Sequence, residues 1–163
     1  MAQDGKINLR LANAADRPRL IPMINAAFGV EKFLEGTRTD EERLAATMEE
    51  GEILIAEDGD GRLLASIYME RRSTHGYLGL LAVDPAMQGL GLGRKLVEAA
   101  ESRFRAVGME AVEILVLSPR TDLPPLYRKL GYEITGTKAF KPSRTVKPGL
   151  DLDIHGIVMT KRL

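Results

Sequence analysis

Short apolar, β-rich runs between turn residues predict strands over Ile7 to Leu11, Glu52 to Glu57, Arg62 to Arg71 and Tyr77 to Val83. The turn residues Asp58-Gly59-Asp60-Gly61 join the second to the third, and Ser73-Thr74-His75-Gly76 leads into the fourth, so these three form an antiparallel meander. Elsewhere the period is helical. A helix runs from about Arg17 to Phe28, capped by Asn13 or Asp16, with Pro18 in the first turn where its missing N–H is harmless, and Gly29 stops it. A second starts after Thr39, where Thr39-Asp40-Glu41-Glu42 reads as a capping box; Leu44, Ala45 and Met48 share a face, and Gly51 ends it. A third carries Leu92, Leu96, Val97 and Ala100 on one face and ends near Val107-Gly108. Ala111 to Leu117 is apolar nearly throughout, which predicts a buried strand. Asp122 caps a short helix closed by Gly131, and strands over Tyr132 to Thr137 and about Ile154 to Arg162 complete the chain. The order βααβββαβαββ, with one strand–helix–strand crossover, predicts an α/β (α+β) fold with a mixed, mostly antiparallel sheet flanked by helices. No linker or repeat divides the sequence, so one domain over residues 1–163 is expected.

Composition narrows the partners. Hydrophobic residues at 44% and charged residues at 28% are globular values, and 163 residues can bury one substantial core. Lys and Arg number 23 against 23 Asp and Glu, so no global charge draws the chain to nucleic acid or an anionic membrane. The absence of cysteine excludes disulfides, cysteine metal sites and a cysteine acyl-enzyme. No apolar run approaches the ~18 residues of a membrane span. Met1-Ala2-Gln3-Asp4 does not open as a signal peptide, so a cytoplasmic protein is expected.

The chemistry concentrates between the fourth strand and the third helix. After Val83-Asp84-Pro85 comes Gln88-Gly89-Leu90-Gly91-Leu92-Gly93-Arg94. Glycines there bring bare N–H groups up to an oxyanion, and the first turn of the following helix adds unpaired donors and partial positive charge. A phosphate or pyrophosphate suits such a cradle. A dinucleotide fingerprint starting at Gly89 would need glycine where Arg94 stands, and a Walker loop would need Gly-Lys-Ser/Thr where the chain has Gly93-Arg94-Lys95. Both fail.

What fits is Q-x-x-G-x-G from Gln88, together with Leu126-Tyr127-Arg128-Lys129-Leu130-Gly131-Tyr132 further on. In these two segments the chain resembles the GNAT superfamily of acyl-CoA N-acyltransferases, and the predicted element order resembles that family's from about residue 7 to 162. The resemblance implies that acetyl-CoA is the co-substrate, with no metal. Its pantetheine would lie beside the backbone of Leu81, Ala82 and Val83, and its pyrophosphate against Gln88, Gly89, Leu90, Gly91, Leu92, Gly93 and Arg94, with Leu90 and Leu92 packing inward. It also implies that Tyr127 donates a proton to the departing sulfur, and that a backbone N–H near Ala82 or Val83 polarises the carbonyl.

The general base is not legible. Where the family often carries a glutamate, the chain has Tyr77, a poor base near neutral pH unless its pKa falls, which favours a water relay or a base elsewhere. Glu70, His75 and His155 are the other titratable candidates. The family's usual asparagine is replaced by Arg120, and Ser118 lacks a neighbouring histidine in sequence to make it a nucleophile. The segment from Val30 to Arg38 has no clear period and reads either as a packed connector or as a border of the acceptor pocket. Lys138, Lys141, Arg144 and Lys147 form a basic run that would favour an anionic acceptor if it borders that pocket. The expected activity is acetyl transfer to a primary amine of a small molecule or peptide, with no nucleic acid or membrane partner and a homodimer allowed. A catalytically silent acyl-CoA sensor and an interaction domain without ligand are the alternatives.

Overall fold

A computed structural model describes residues 6–139, 147 and 154–163. Seven strands form one sheet in the order β1-β2-β3-β4-β5-β7-β6. They are β1 (Asn8–Leu11), β2 (Glu52–Glu57), β3 (Leu63–Arg72), β4 (His75–Val83), β5 (Ala111–Leu117), β6 (Glu133–Ala139) and β7 (His155–Arg162). All neighbours are antiparallel except β4 and β5, the pair joined by a crossover helix. The helices are α1 (Arg17–Ala27), α2 (Glu41–Glu50), α3 (Leu92–Ala106) and α4 (Leu123–Lys129).

Each sheet face carries its own core. Leu92, Leu96, Val97, Ala100 and Phe104 of α3 pack with Leu78, Val112, Ile114 and Val116 on one face, joined by Tyr127 and Tyr132. On the other face Leu20, Met23 and Ile24 of α1 and Leu44 of α2 cover Ile53, Ile55, Tyr68 and Ala82. Period 3.6 on the helices meets period 2 on the strands, so each amphipathic stripe finds an apolar face.

Local details depart from the expected elements. Asp40, not Thr39, caps α2, accepting from Arg43 N at 2.8 Å; Thr39 is buried and clamped by Asn25 through two hydrogen bonds. Asp122 makes no cap bond, because its carboxylate is taken by Arg120. On β5 only Val112, Ile114 and Val116 are fully buried, and Leu115 is 37% exposed. The second face of β5, with Ala111, Glu113, Leu115 and Leu117, is only partly covered. Of the basic run, Lys141 and Arg144 lie outside the described residues. Lys138 reaches Glu113 at 3.2 Å, and Lys147 donates its backbone N–H to Phe33 O at 3.0 Å. No helix among the described residues is long and apolar enough to cross a membrane.

Candidate active site

β4 and β5 stay hydrogen-bonded only from His75 opposite Ala111 to Leu78 opposite Ile114. Beyond that point β5 pairs with β7 alone, while β4 continues along β3. The cause lies in β4. Gly79 faces Tyr68 and Ala82 faces Ser66, so Leu80 and Leu81 stand against Ile67 alone, and Leu80 takes φ +47°. An extra residue on one strand bends it and increases its twist, and here the bend opens β4 away from β5. A left-handed leucine is strained backbone, held only because the surrounding sheet over-determines it. The β5-facing backbone of residues 79–83 is left without a strand partner.

The cleft opened in this way has a volume of about 490 Å³ and runs to the start of α3. Gly89 and Gly91 adopt φ +82° and +80°, conformations that glycine takes at no steric cost, and Gly91 caps α3. Lys95 N–H is the first to bond back, to Gly91 O at 3.0 Å; no backbone N–H from Gly89 to Arg94 has a protein acceptor among the described residues. Gln88 ties the loop to the strand end, its Nε2 donating to Val83 O at 3.3 Å. Six consecutive amides without acceptors beside a helix N-terminus are a donor set for an oxyanion. They fit a pyrophosphate, and the open β5-facing edge of the strand leading to them fits an extended arm with amide groups of its own.

Tyr127 projects from α4 into the cleft wall, 8% exposed, its ring edge-on to Tyr132 at 5.9 Å. Tyr132 is pinned in turn. Its hydroxyl donates to Glu101 Oε2 at 2.8 Å, and Lys161 Nζ donates to Glu101 Oε1 at 3.0 Å. The Tyr127 hydroxyl has no hydrogen bond to any described residue. Burial pushes its pKa up to about 12, against a smaller opposing effect of the Arg120 charge.

Across the cleft, the turn after α1 supplies Phe28, Glu31 and Arg38. The Glu31 carboxylate is buried and accepts from Arg120 Nη1 at 3.0 Å, and Arg38 Nη1 lies 4.0 Å from its other oxygen. Arg38 sits over the Phe28 ring at 4.8 Å. Tyr77 lines the same region beneath Arg72, whose guanidinium stacks on it at 3.8 Å.

The cleft brings together Tyr77, Leu81, Val83, Gln88, Gly89, Gly91, Leu92, Gly93, Arg94 and Tyr127. Leu92 packs inward as expected, at 5% exposure, but Leu90 does not: it is 67% exposed and off the cleft wall, because the left-handed glycines on either side turn it outward. Ala82 buries its side chain on the α1 face, so only its backbone can serve the cleft. Burial pushes the Tyr77 phenol up from its ordinary value, the opposite of what a base near neutral pH requires.

None of the other three titratable candidates lines the cleft. Glu70 accepts from Tyr68 and Arg72, His75 stands 3.7 Å from Glu113 at the far end of β4, and His155 meets Ser118 through its backbone N–H. Glu31 and Arg38 were not singled out from sequence, since their aperiodic segment gives no signal of which side chains turn inward. Arg120 does border the cleft, paired on both sides with carboxylates.

The profile of the Acetyltransferase (GNAT) family matches residues 19–132. The chain is similar to a mycothiol acetyltransferase of Beutenbergia cavernae, 39% identical over 48% of this chain and 27% of that protein. It spans less than half the length of this and two other mycothiol acetyltransferases it matches, at 27%, 41% and 44%. An L-methionine sulfoximine/L-methionine sulfone acetyltransferase of Pseudomonas paraeruginosa is 29% identical over 79% of this chain and 81% of its own. A crystal structure of a family member from Elizabethkingia anophelis with acetyl-CoA bound superposes at TM-score 0.75, covering 98% of this chain and 100% of the other at 16% identity.

Proposed function

The chain belongs to the GNAT acetyltransferase family, and on that footing we propose that it moves the acetyl group of acetyl-CoA directly to a primary amine. The observation that carries this reading is the continuity of two stretches of open backbone, the β5-facing edge of residues 79–83 on the splayed strand and the amides of residues 89–94 at the helix start. The backbone of Leu81 to Val83 holds the pantetheine amides as an added strand would, and the amides of Gly89 to Arg94 take the pyrophosphate. A backbone N–H near Ala82 or Val83 polarises the thioester carbonyl.

The transfer forms one C–N bond and breaks one C–S bond. The amine gives up a proton and the departing thiolate gains one. Tyr127 supplies the second proton. It keeps its hydrogen throughout physiological pH, and the dry surroundings that raise its own pKa also raise the proton affinity of a thiolate beside it. The proton from the amine leaves through water held near the Tyr77 hydroxyl, since Tyr77 itself is no base at neutral pH. Without cysteine the chain has no thiol to carry the acetyl group, which favours direct transfer within a ternary complex.

The relatives named for mycothiol and for L-methionine sulfoximine support a small-molecule acceptor over a peptide. The test is release of free thiol from acetyl-CoA against a panel of amines, with thermal stabilisation by coenzyme A measured in parallel. Stabilisation with amine-dependent thiol release supports the proposal. Stabilisation without turnover on any amine makes the protein a sensor, and no stabilisation far above micromolar concentration removes the binding site altogether.

A further inference from the structure

We propose that the acceptor carries a carboxylate close to its amino group, as an α-amino acid does, and that Arg38 binds that carboxylate; this rests on the acetyltransferase reading above. Arg38 stands in the cleft wall with its side chain 31% exposed, and it is held in place over Phe28. It donates no hydrogen bond to any described residue. Its nearest carboxylate is Glu31, at 4.0 Å, beyond hydrogen-bond distance. Arg120 behaves differently: it contacts Glu31 at 3.0 Å and Asp122 at 3.0 Å, so each side of its guanidinium already holds a carboxylate. Arg38 therefore presents a planar fork of donors, partly removed from water, to whatever enters the cleft.

Position decides which part of the acceptor it meets. Arg38 lines the same cleft as Gly79 and Leu80, where β4 parts from β5 and the acetyl group would be passed. A group bound there lies near the reacting nitrogen, not at the end of a long chain. Phe28, Tyr77 and Leu80 supply the apolar and aromatic wall beside it, suited to a side chain on the same carbon. A guanidinium pairs with a carboxylate in two parallel hydrogen bonds, so the carboxylate adds orientation as well as affinity. Amines lacking it would enter without a fixed direction.

The experiment compares matched acceptors with acetyl-CoA in excess: L-methionine against 3-(methylthio)propylamine, L-phenylalanine against phenethylamine, and phosphoethanolamine as the phosphate arm. The expected result is kcat/KM higher by about 10- to 100-fold for each amino acid over its decarboxylated partner, the scale of one charge-assisted bidentate contact. In Arg38→Met that ratio should collapse toward one, with the loss falling on acceptor KM and not on acetyl-CoA KM, which a merely structural role would not separate. Arg38→Lys should recover part of the ratio, because it restores the charge without the fork. The inference alone is overturned if amines are acetylated without regard to the carboxylate, if phosphoethanolamine outruns every amino acid, or if Arg38→Met lowers both members of each pair equally. If no amine is acetylated, the proposed function falls and takes this inference with it.

Discussion

Gly93→Ala should stabilise the free protein while weakening its hold on coenzyme A. Gly93 is the second residue of α3 and has ordinary helical backbone, unlike Gly89 and Gly91 with their positive φ. A Cβ placed there would meet Leu81 Cδ2 at 3.7 Å and Val83 Cγ2 at 3.8 Å, which is normal van der Waals contact. Nothing within the chain requires glycine at this position. Replacing it by alanine in a helix gains up to about 1 kcal/mol, equivalent to a Tm rise of about 2–4 °C for a chain of this size. Gly93 lines the cleft, so the new methyl would take up space beside the amides of residues 89–94 that are read as the oxyanion site. Losing one or two charge-assisted hydrogen bonds to the phosphates costs about 1.5–3 kcal/mol each, or at least tenfold in affinity. Calorimetric titration with coenzyme A and a thermal melt without it measure the two effects separately. Gly91→Ala is the control: at φ +80° a side chain is strained, so that variant should melt lower. A Gly93→Ala protein with unchanged coenzyme A affinity would refute the cradle.

Three other variants and conditions probe the rest of the site. Tyr127→Phe should lower kcat by about 10- to 1,000-fold while leaving acetyl-CoA KM nearly unchanged, as steady-state kinetics would show; an unchanged kcat removes the acid role. The folded-state pKa of Tyr127 is raised, so its contribution to stability is fully present below its unfolded value of 10 and is lost as pH rises through about 12. Alkaline unfolding between those values should be less steep in Tyr127→Phe. A descending kcat limb below pH 10 that vanishes in the variant would contradict the raised pKa while keeping Tyr127 as the acid. Glu101→Ala leaves the Tyr132 hydroxyl and Lys161 unpaired and should cost about 2–4 kcal/mol in urea unfolding, with a further loss of kcat as Tyr132 ceases to brace Tyr127.

The parts of the site that residue type dictates were legible from sequence. Gly89 and Gly91 needed glycine, α3 needed its apolar stripe, and Tyr127 stood in a recognisable segment, so the loop, the helix and the tyrosine were all placed together in advance. The bulge was not legible. Leu80 and Leu81 look like any other apolar strand residues, and only the register against Ile67 reveals the extra one. The same holds for Leu90, whose outward turn follows from its neighbours' φ angles. Glu31 and Arg38 were hidden for a different reason: the segment linking α1 to α2 is ordered by tertiary contacts, among them Glu31 with Arg120 across 89 residues of sequence. Local pattern carries no trace of such a pairing. β5 misled because Leu115 and Leu117 extend the apolar run onto a face that is only partly covered.

The most direct measurement uses acetyl-CoA carrying a 13C-labelled acetyl group, incubated with the protein and an amine pool, with mass spectrometry of small molecules and protein. The account predicts labelled N-acetyl product and free coenzyme A in equal amounts, both dependent on the protein, with no labelled protein that turns over. Absence of N-acetyl product, or an acetyl-protein that passes its label to the amine, would contradict it.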